Sequence, residues 1–232
     1  MSTTELLQIR EAFVAAAKRA CRLGLQAIQL HGAHGYLLHE FLSPLSNQRE
    51  DVYGGSPEGR MRFPLEVFDA VHSVVPADVP VSVRVSGTDW TEGGWTIEDT
   101  VVFARKLEQA GCSALHVSSG GLTPAQQIPI GPSYQVPLAR AVKAATGMPV
   151  IAVGLITGFE QAEAIVSTGD ADLVALARGI LYDPRWPWHA AAYFGAQVKA
   201  PPQHLRSQPS QYSDLFEWSP SDRLRKLASE DD

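Results

Sequence analysis

Apolar positions recur at helical spacing over residues 4–22, where Leu7, Ile9, Phe13, Val14, Ala17 and Cys21 predict one amphipathic face and Gly24 can end the turn. A short apolar run at 27–30 follows and reads as a strand leading into His31. The same change of period then repeats. Helical patterns cover 60–75, 96–110, 134–145, 159–167 and 185–194, and strand-like runs cover 79–86, 114–119, 149–153 and 172–177. Pro184 starts the last of these helices, which carries Trp186 and Trp188. A loop rich in Gly, Ser and Arg fills 43–59. The runs 79–85, 150–153 and 173–176 are apolar on both faces, as expected of parallel strands covered by helices.

Alternating strands and helices leave two architectures, an open doubly wound sheet or a (β/α)8 barrel. An open sheet normally carries a glycine-rich phosphate turn after its first strand. Here His31, Gly32, Ala33 and His34 occupy that place. Polar residues or glycine stand at the C-terminal end of every strand pattern: His31 and His34, Arg84 and Ser86, Ser118 and Ser119, Gly154, and Arg178. In a barrel that edge is the active face. The expected fold is therefore α/β, an incomplete TIM (β/α)8 barrel with about strands 4–8 and their helices. Five strand patterns fall short of eight, a full barrel takes about 250 residues, and the opening helix reads as the one that follows a third strand. Residues 1–206 are assigned to this C-terminal barrel part. Residues 207–232 form a polar tail, acidic at its end and expected to be flexible, with Trp218 and Leu224 as candidates for docking.

Composition narrows the function. With 45% hydrophobic residues in 232, the chain can bury a sizeable core, so a disordered protein is excluded. The net charge of -6 and the scattered Lys and Arg argue against a nucleic-acid partner, which needs clustered cations. No apolar run is long enough to suggest a membrane partner, and the first residues show no secretory pattern. Cys21 and Cys112 rule out a disulfide framework or a four-cysteine cluster within this chain, and the expected setting is a reducing cytoplasm.

Candidate chemistry gathers at the strand ends. His31 and His34, three residues apart just past a strand, can aim two N–H donors at one oxygen and stabilise charge developing on a carbonyl. The same pair also suits a metal site, as in a metal-dependent barrel hydrolase using a further carboxylate, or two structural histidines. Tyr36 can deliver a proton to carbon, or anchor itself by its hydroxyl. Arg84, a cation at a strand end, needs either an anionic or carbonyl ligand or a loop carboxylate such as Asp89. Gly154, Ala177 and Arg178 stand where strands seven and eight of a barrel end, a frequent phosphate site. Ser118, Ser119 and Gly120 either border the same ligand or cap their strand. Glu40 and Asp51 are read as shaping the loop through caps and ion pairs.

The segment 31–56 joins His31, His34, Gly35 and Tyr36 to Ser43, Pro44, Asn47, Arg49, Asp51, Tyr53, Gly54, Gly55 and Ser56. In this combination the chain resembles the old yellow enzyme family of FMN-dependent reductases, from about residue 5 to about 206. It looks closest to the bacterial ene-reductase branch. It also resembles the reductase-like domain fused behind a flavin monooxygenase in hydroxylases of aryl-CoA thioesters such as salicylyl-CoA. The resemblance implies an FMN-dependent NAD(P)H oxidoreductase, with NADH or NADPH as reductant and a small-molecule substrate. His31 and His34 would hold the ligand oxygen, Tyr36 would donate the proton, and Arg84 would face the flavin's N1 and O2. Ser118, Gly154, Ala177 and Arg178 would contact FMN, the last three at its phosphate. In the bacterial branch an arginine in a stretch like that around Arg206 reaches the neighbouring subunit's pocket; a solvated arginine is the other reading.

Members of that family are longer. The missing strands one to three would supply part of the flavin's cradle, including a glutamine and a cysteine or threonine that neither Cys21 nor Cys112 replaces. A barrel lacking three strands exposes two edges. The chain is therefore expected to need a homo-oligomer or a partner chain supplying those strands, and to bind FMN weakly or not at all alone. A fragment of a longer protein, a split enzyme and an inactive remnant or assembly piece all fit this pattern.

Overall fold

Residues 1–218 are described here by a computed structural model of the chain. They divide into two compact units, Met1–Leu176 and one beginning at Ala177. The first unit runs α1 (Thr3–Arg22), β1 (Ile28–Gly32), α2 (Leu37–Leu42), α3 (Pro57–His72), β2 (Val81–Ser86), α4 (Ile97–Gln109), β3 (Leu115–Ser118), α5 (Val136–Ala145), β4 (Val150–Ala152), α6 (Phe159–Ser167) and β5 (Leu173–Val174). Local chemistry fixes the helix starts. Ser2 with Glu5 and Thr96 with Asp99 form reciprocal capping boxes, and Ser56 caps α3 just ahead of Pro57 at its first position. On α1 Val14 and Ala17 are buried and Ile9, Phe13 and Cys21 half-buried, as the sequence suggested, while Leu7 is exposed and Leu6 is buried in its place.

All five strands lie parallel in chain order, β1-β2-β3-β4-β5. A doubly wound sheet reverses its strand order at a switch point. This sheet does not, and it is part of a (β/α)8 barrel wall. Among the described residues β1 and β5 each pair on one side only. Strand side chains alternate between two faces. Leu30, Val81, Val83, Val85, Leu115, Val117, Val150 and Ala152 are buried on the helix-covered face. Phe63, Phe68, Phe103 and Leu107 from α3 and α4 are also fully buried, and each aromatic removes roughly 150–250 Å² from water. The opposite, inward face carries Gln29 and His31, Ser82 and Arg84, His116 and Ser118, then Ile151 and Leu173. The register pairs His31 with Arg84, Arg84 with His116 and His116 with Ile151, so three strands present one polar row.

The second unit contains α7 (Arg178–Tyr182), α8 (Trp186–Phe194) and two 3-10 turns, Pro202–Ser207 and Ser210–Tyr212. Its own small core joins Ala200, Leu205, Leu215 and Phe216, with Trp188, Val198 and Trp218 packed against it. Residues 207–218 include two buried apolar side chains, Leu215 and Phe216. The remainder of the tail, with Leu224, lies outside the described residues.

Candidate active site

The chain leaves β1 at Gly32 and turns sharply. His34 and Gly35 both take positive φ, 59° and 77°. The turn is held by close backbone approach to the loop after β3. A Cβ on Gly121 would lie 2.7 Å from the His34 Cα, and one on Gly35 would lie 2.5 Å from the Gly121 oxygen. Both positions therefore require glycine. Ser86, at the end of β2, ties the two loops: its hydroxyl accepts the His34 N–H at 3.0 Å and donates to the Gly120 carbonyl at 2.8 Å.

The turn brings His31, His34 and Tyr36 together. The two imidazole centroids are 5.2 Å apart, and the Tyr36 ring meets His31 edge-on at 5.4 Å. Tyr36 is exposed and its backbone begins α2. Arg84 is the register partner of His31. Its Nε is buried and has no hydrogen-bond partner, and the same is true of His116 Nε2 one strand further on. The loop-carboxylate reading of Arg84 fails. Asp89 is instead spent on His39 Nε2, the Ser43 hydroxyl and the Trp95 N–H, at 2.8, 2.6 and 2.7 Å. His39 Nδ1 accepts the Gly35 N–H at 2.9 Å, so the hydrogen sits on Nε2 and points at Asp89. This Ser43–Asp89–His39 cluster is wholly buried and braces the turn that carries His34. Burial alone would raise the Asp89 carboxyl, but the donors from His39, Ser43 and Trp95 outweigh it and hold it below its ordinary value.

Burial, reinforced by the Arg84 charge, lowers His31 and pushes both His34 and His116 down to about 4. Burial also lowers Arg84. Near neutral pH the inward face therefore holds neutral imidazoles around one guanidinium. Such a surface suits an oxygen or an anion, and among the described residues the only buried carboxylate, Asp89, is already taken by His39, Ser43 and Trp95.

Ser118 ends β3 next to this group. Its hydroxyl lies 2.7 Å from His34 Nε2 and 3.3 Å from Gln135 Oε1. Gln135 also accepts from the Ser119 hydroxyl at 2.6 Å and donates to the Val153 carbonyl at 3.1 Å. Its amide lies against Gly154, where a Cβ would run into it. Gly154 has φ 119° and is buried. His31, His34, Tyr36, Arg84, Ser118 and Gly154 thus belong to one connected strand edge in the first unit. Ala177, Arg178 and Arg206 belong to the second unit: Ala177 precedes α7, Arg178 opens it, and Arg206 is exposed in a 3-10 turn.

The loop motif proves to be scaffold. The Asn47 amide donates to the Phe41 and Tyr53 carbonyls, both at 2.7 Å, and Arg49 pairs with Asp51. The metal-hydrolase alternative finds no support, because among the described residues no group of three His, Cys, Asp or Glu side chains is placed to hold an ion. Gln135, His116, Gln29 and the His39–Asp89–Ser43 cluster were not singled out from sequence as site residues; each works through a partner distant in the chain.

The fold and strand edge described above define a flavin-oxidoreductase type of barrel. The chain belongs to the NADH:flavin oxidoreductase / NADH oxidase family, which it matches over residues 1–194. It is 44% identical over 206 residues to an NADPH dehydrogenase of Geobacillus thermodenitrificans, covering 89% of this chain and 60% of the relative. It is 43% identical over 192 residues to an NADH oxidase of Thermoanaerobacter brockii, covering 81% of this chain and 29% of the relative. A morphinone reductase in complex with tetrahydroNAD superposes with TM-score 0.69 at 27% identity, over 96% of this chain and 55% of that one. A 2-naphthoyl-CoA reductase in complex with 2-naphthoyl-CoA superposes with TM-score 0.77 at 27% identity, over 84% and 30%. The chain thus spans about 60% of the length of curated relatives such as the Geobacillus protein. No described helix is long and apolar enough to cross a membrane.

Proposed function

We propose that this chain is the substrate-facing part of an FMN-dependent NAD(P)H oxidoreductase that delivers hydride to an activated alkene or a related conjugated acceptor. The observation that carries the reading is the Arg84 Nε, buried and unpartnered beside two neutral imidazoles. A half-buried cation with a buried, unmet N–H is matched by an anionic or carbonyl partner. In the first unit, Arg84 would hold the pyrimidine edge of a flavin, and Ser118 and Gly154 would make other contacts; for Ala177 and Arg178, in the second unit, the family resemblance alone supports a role at its phosphate. When bound, the flavin supplies hydride transfer. His31 and His34 hold the substrate oxygen, and Tyr36, exposed at the mouth, donates the proton to carbon. Arg206 is the candidate for reaching a neighbouring subunit. NADH or NADPH serves as reductant, and the aryl thioester bound by one structural relative marks a second acceptor class to assay.

The strands that relatives of greater length possess complete the site, from the same polypeptide, a partner chain or a second copy. The test is a titration of FMN into the purified chain, alone and with a polypeptide carrying the three missing strand–helix units. Weak binding alone, stoichiometric binding and enone-dependent NADPH oxidation with the complement, and loss of both in Arg84→Ala support the reading. Tight FMN binding that survives Arg84→Ala overturns the assignment of Arg84. A completed protein that holds no flavin leaves an assembly role in its place.

A further inference from the structure

We infer that Ser118 and Gln135 act as positioning residues that decide which ring nitrogen of His34 carries its hydrogen, and hence whether His34 accepts from a ligand oxygen or donates to it. The inference rests on the reading of this mouth as an oxygen-binding site, but its test does not require a flavin.

The direction of each bond follows from counting hydrogens. The Gln135 amide is oriented, because its Nε2 donates to the Val153 carbonyl at 3.1 Å. Its Oε1 therefore faces the two serines, and the Ser119 hydroxyl donates to it at 2.6 Å. Ser118 has one hydroxyl hydrogen and two neighbours that can take it, Gln135 Oε1 at 3.3 Å and His34 Nε2 at 2.7 Å. If Ser118 donates to Gln135, then His34 must donate its Nε2–H to Ser118, and Nδ1 is a bare acceptor. If Ser118 donates to His34, the hydrogen moves to Nδ1, and Gln135 loses one of its two hydroxyl donors. The first arrangement makes one more hydrogen bond. Ser118, Ser119 and Gln135 are all buried, so an unmade bond there is not recovered from water.

The ligand-free chain therefore holds His34 as the Nε2–H form. In that form Nδ1, the ring nitrogen not bonded to Ser118, is an acceptor, which suits an oxygen that brings its own hydrogen, a phenol or an enol. Donating two N–H groups to a carbonyl or phenolate requires the other form, with Ser118 turned away from Gln135. Gln135 thus sets a cost on the form that a carbonyl ligand needs, which ligand binding must offset, and a residue without its oxygen removes that cost.

The test is the long-range 1H–15N correlation spectrum of the chain labelled with ring-15N histidine, near pH 7, with His34 assigned by loss of its signals in His34→Gln. The expected wild-type pattern is the Nε2–H form. Gln135→Met keeps the side-chain length but removes the strong acceptor, and is expected to raise the ratio of Nδ1–H to Nε2–H by roughly tenfold. Gln135→Glu keeps the acceptor and retains the wild-type pattern. A wild-type spectrum in the Nδ1–H form overturns the inference without any variant having to fold. An unchanged ratio in Gln135→Met overturns it as well. Neither result bears on flavin binding, and failure to bind flavin leaves the tautomer result standing.

Discussion

At the β1–β3 side of the sheet, strands of five, six and four residues end in loops fastened to one another by Ser86, His39, Asp89, Ser118 and Gln135. At the other side, β4 and β5 have three and two residues, and Leu173 is half exposed. There the ties are outward ion pairs, Arg140 with Asp170 and Lys143 with Asp172. The contrast teaches that the imidazole mouth is supported from within this chain, by buried polar bonds that are expensive to leave unmade. The β4–β5 side adds solvent-screened ion pairs to its backbone ladder and to the Gln135–Val153 bond. Substitutions should separate the two sides sharply.

The largest effect is expected at Asp89. Asp89→Ala leaves His39, Ser43 and the Trp95 N–H without their acceptor in a site closed to water. Each buried donor left unmet costs roughly 1–3 kcal/mol, so a loss of about 3–5 kcal/mol is expected after partial relaxation. Urea denaturation should show the midpoint fall accordingly, and near-ultraviolet circular dichroism should show the Trp95 environment loosen. A loss below 1 kcal/mol would mean that the cluster does not brace the His34 turn.

Acid comes next. His34 and His116 titrate at about 4 in the folded chain against an ordinary value of 6.5. Between those values the unfolded chain binds more protons, so stability must fall as pH drops from about 6.5 towards 4 and be fully present above it. For His116, the more buried of the two, the shift corresponds to roughly 3 kcal/mol. His116→Gln should flatten this part of the stability–pH curve; an unchanged curve would place the loss elsewhere.

Arg84 tests function against stability on the same row. Its Nε is buried without a partner, so Arg84→Met removes an unmet donor and a partly desolvated charge. The variant is expected to be more stable by about 1 kcal/mol while losing flavin affinity. A less stable Arg84→Met chain would show that the guanidinium is held by the fold and not reserved for a ligand.

Most of the frame was legible in the chain. Period changes located all five strands and six of the helices, and α6 matches its expected bounds. The misses share a cause. α2 and α7 have six and five residues, too few to establish a 3.6-residue period. The site was legible where residues stand at strand ends, as His31, Arg84 and Ser118 do. It was not legible where its logic lies in pairing. Asp89 reads as a free loop carboxylate until His39, 50 residues earlier, is seen to occupy it. Gln135 reads as a helix-start residue until Ser118, Ser119 and Val153 converge on it. Hydrophobic period reports which face is buried; it carries no information on which distant polar group meets which.

The smallest effect is expected on the β4–β5 side. Lys143 and Asp172 are 30% and 37% exposed as side chains, so their attraction is screened by water and salt. Lys143→Ala should cost about 0.5 kcal/mol or less, and the difference from wild type should vanish as salt rises towards about 0.5 M. Asp172→Ala should cost more, about 1 kcal/mol, because Asp172 also accepts the Val150 N–H at 2.8 Å and so holds the start of β4. That increment should persist in salt, since it belongs to a backbone donor and not to the ion pair. If Lys143→Ala instead matched Asp89→Ala, the division into an internally braced side and a solvent-screened side would be wrong, and the short strands would owe their order to charge.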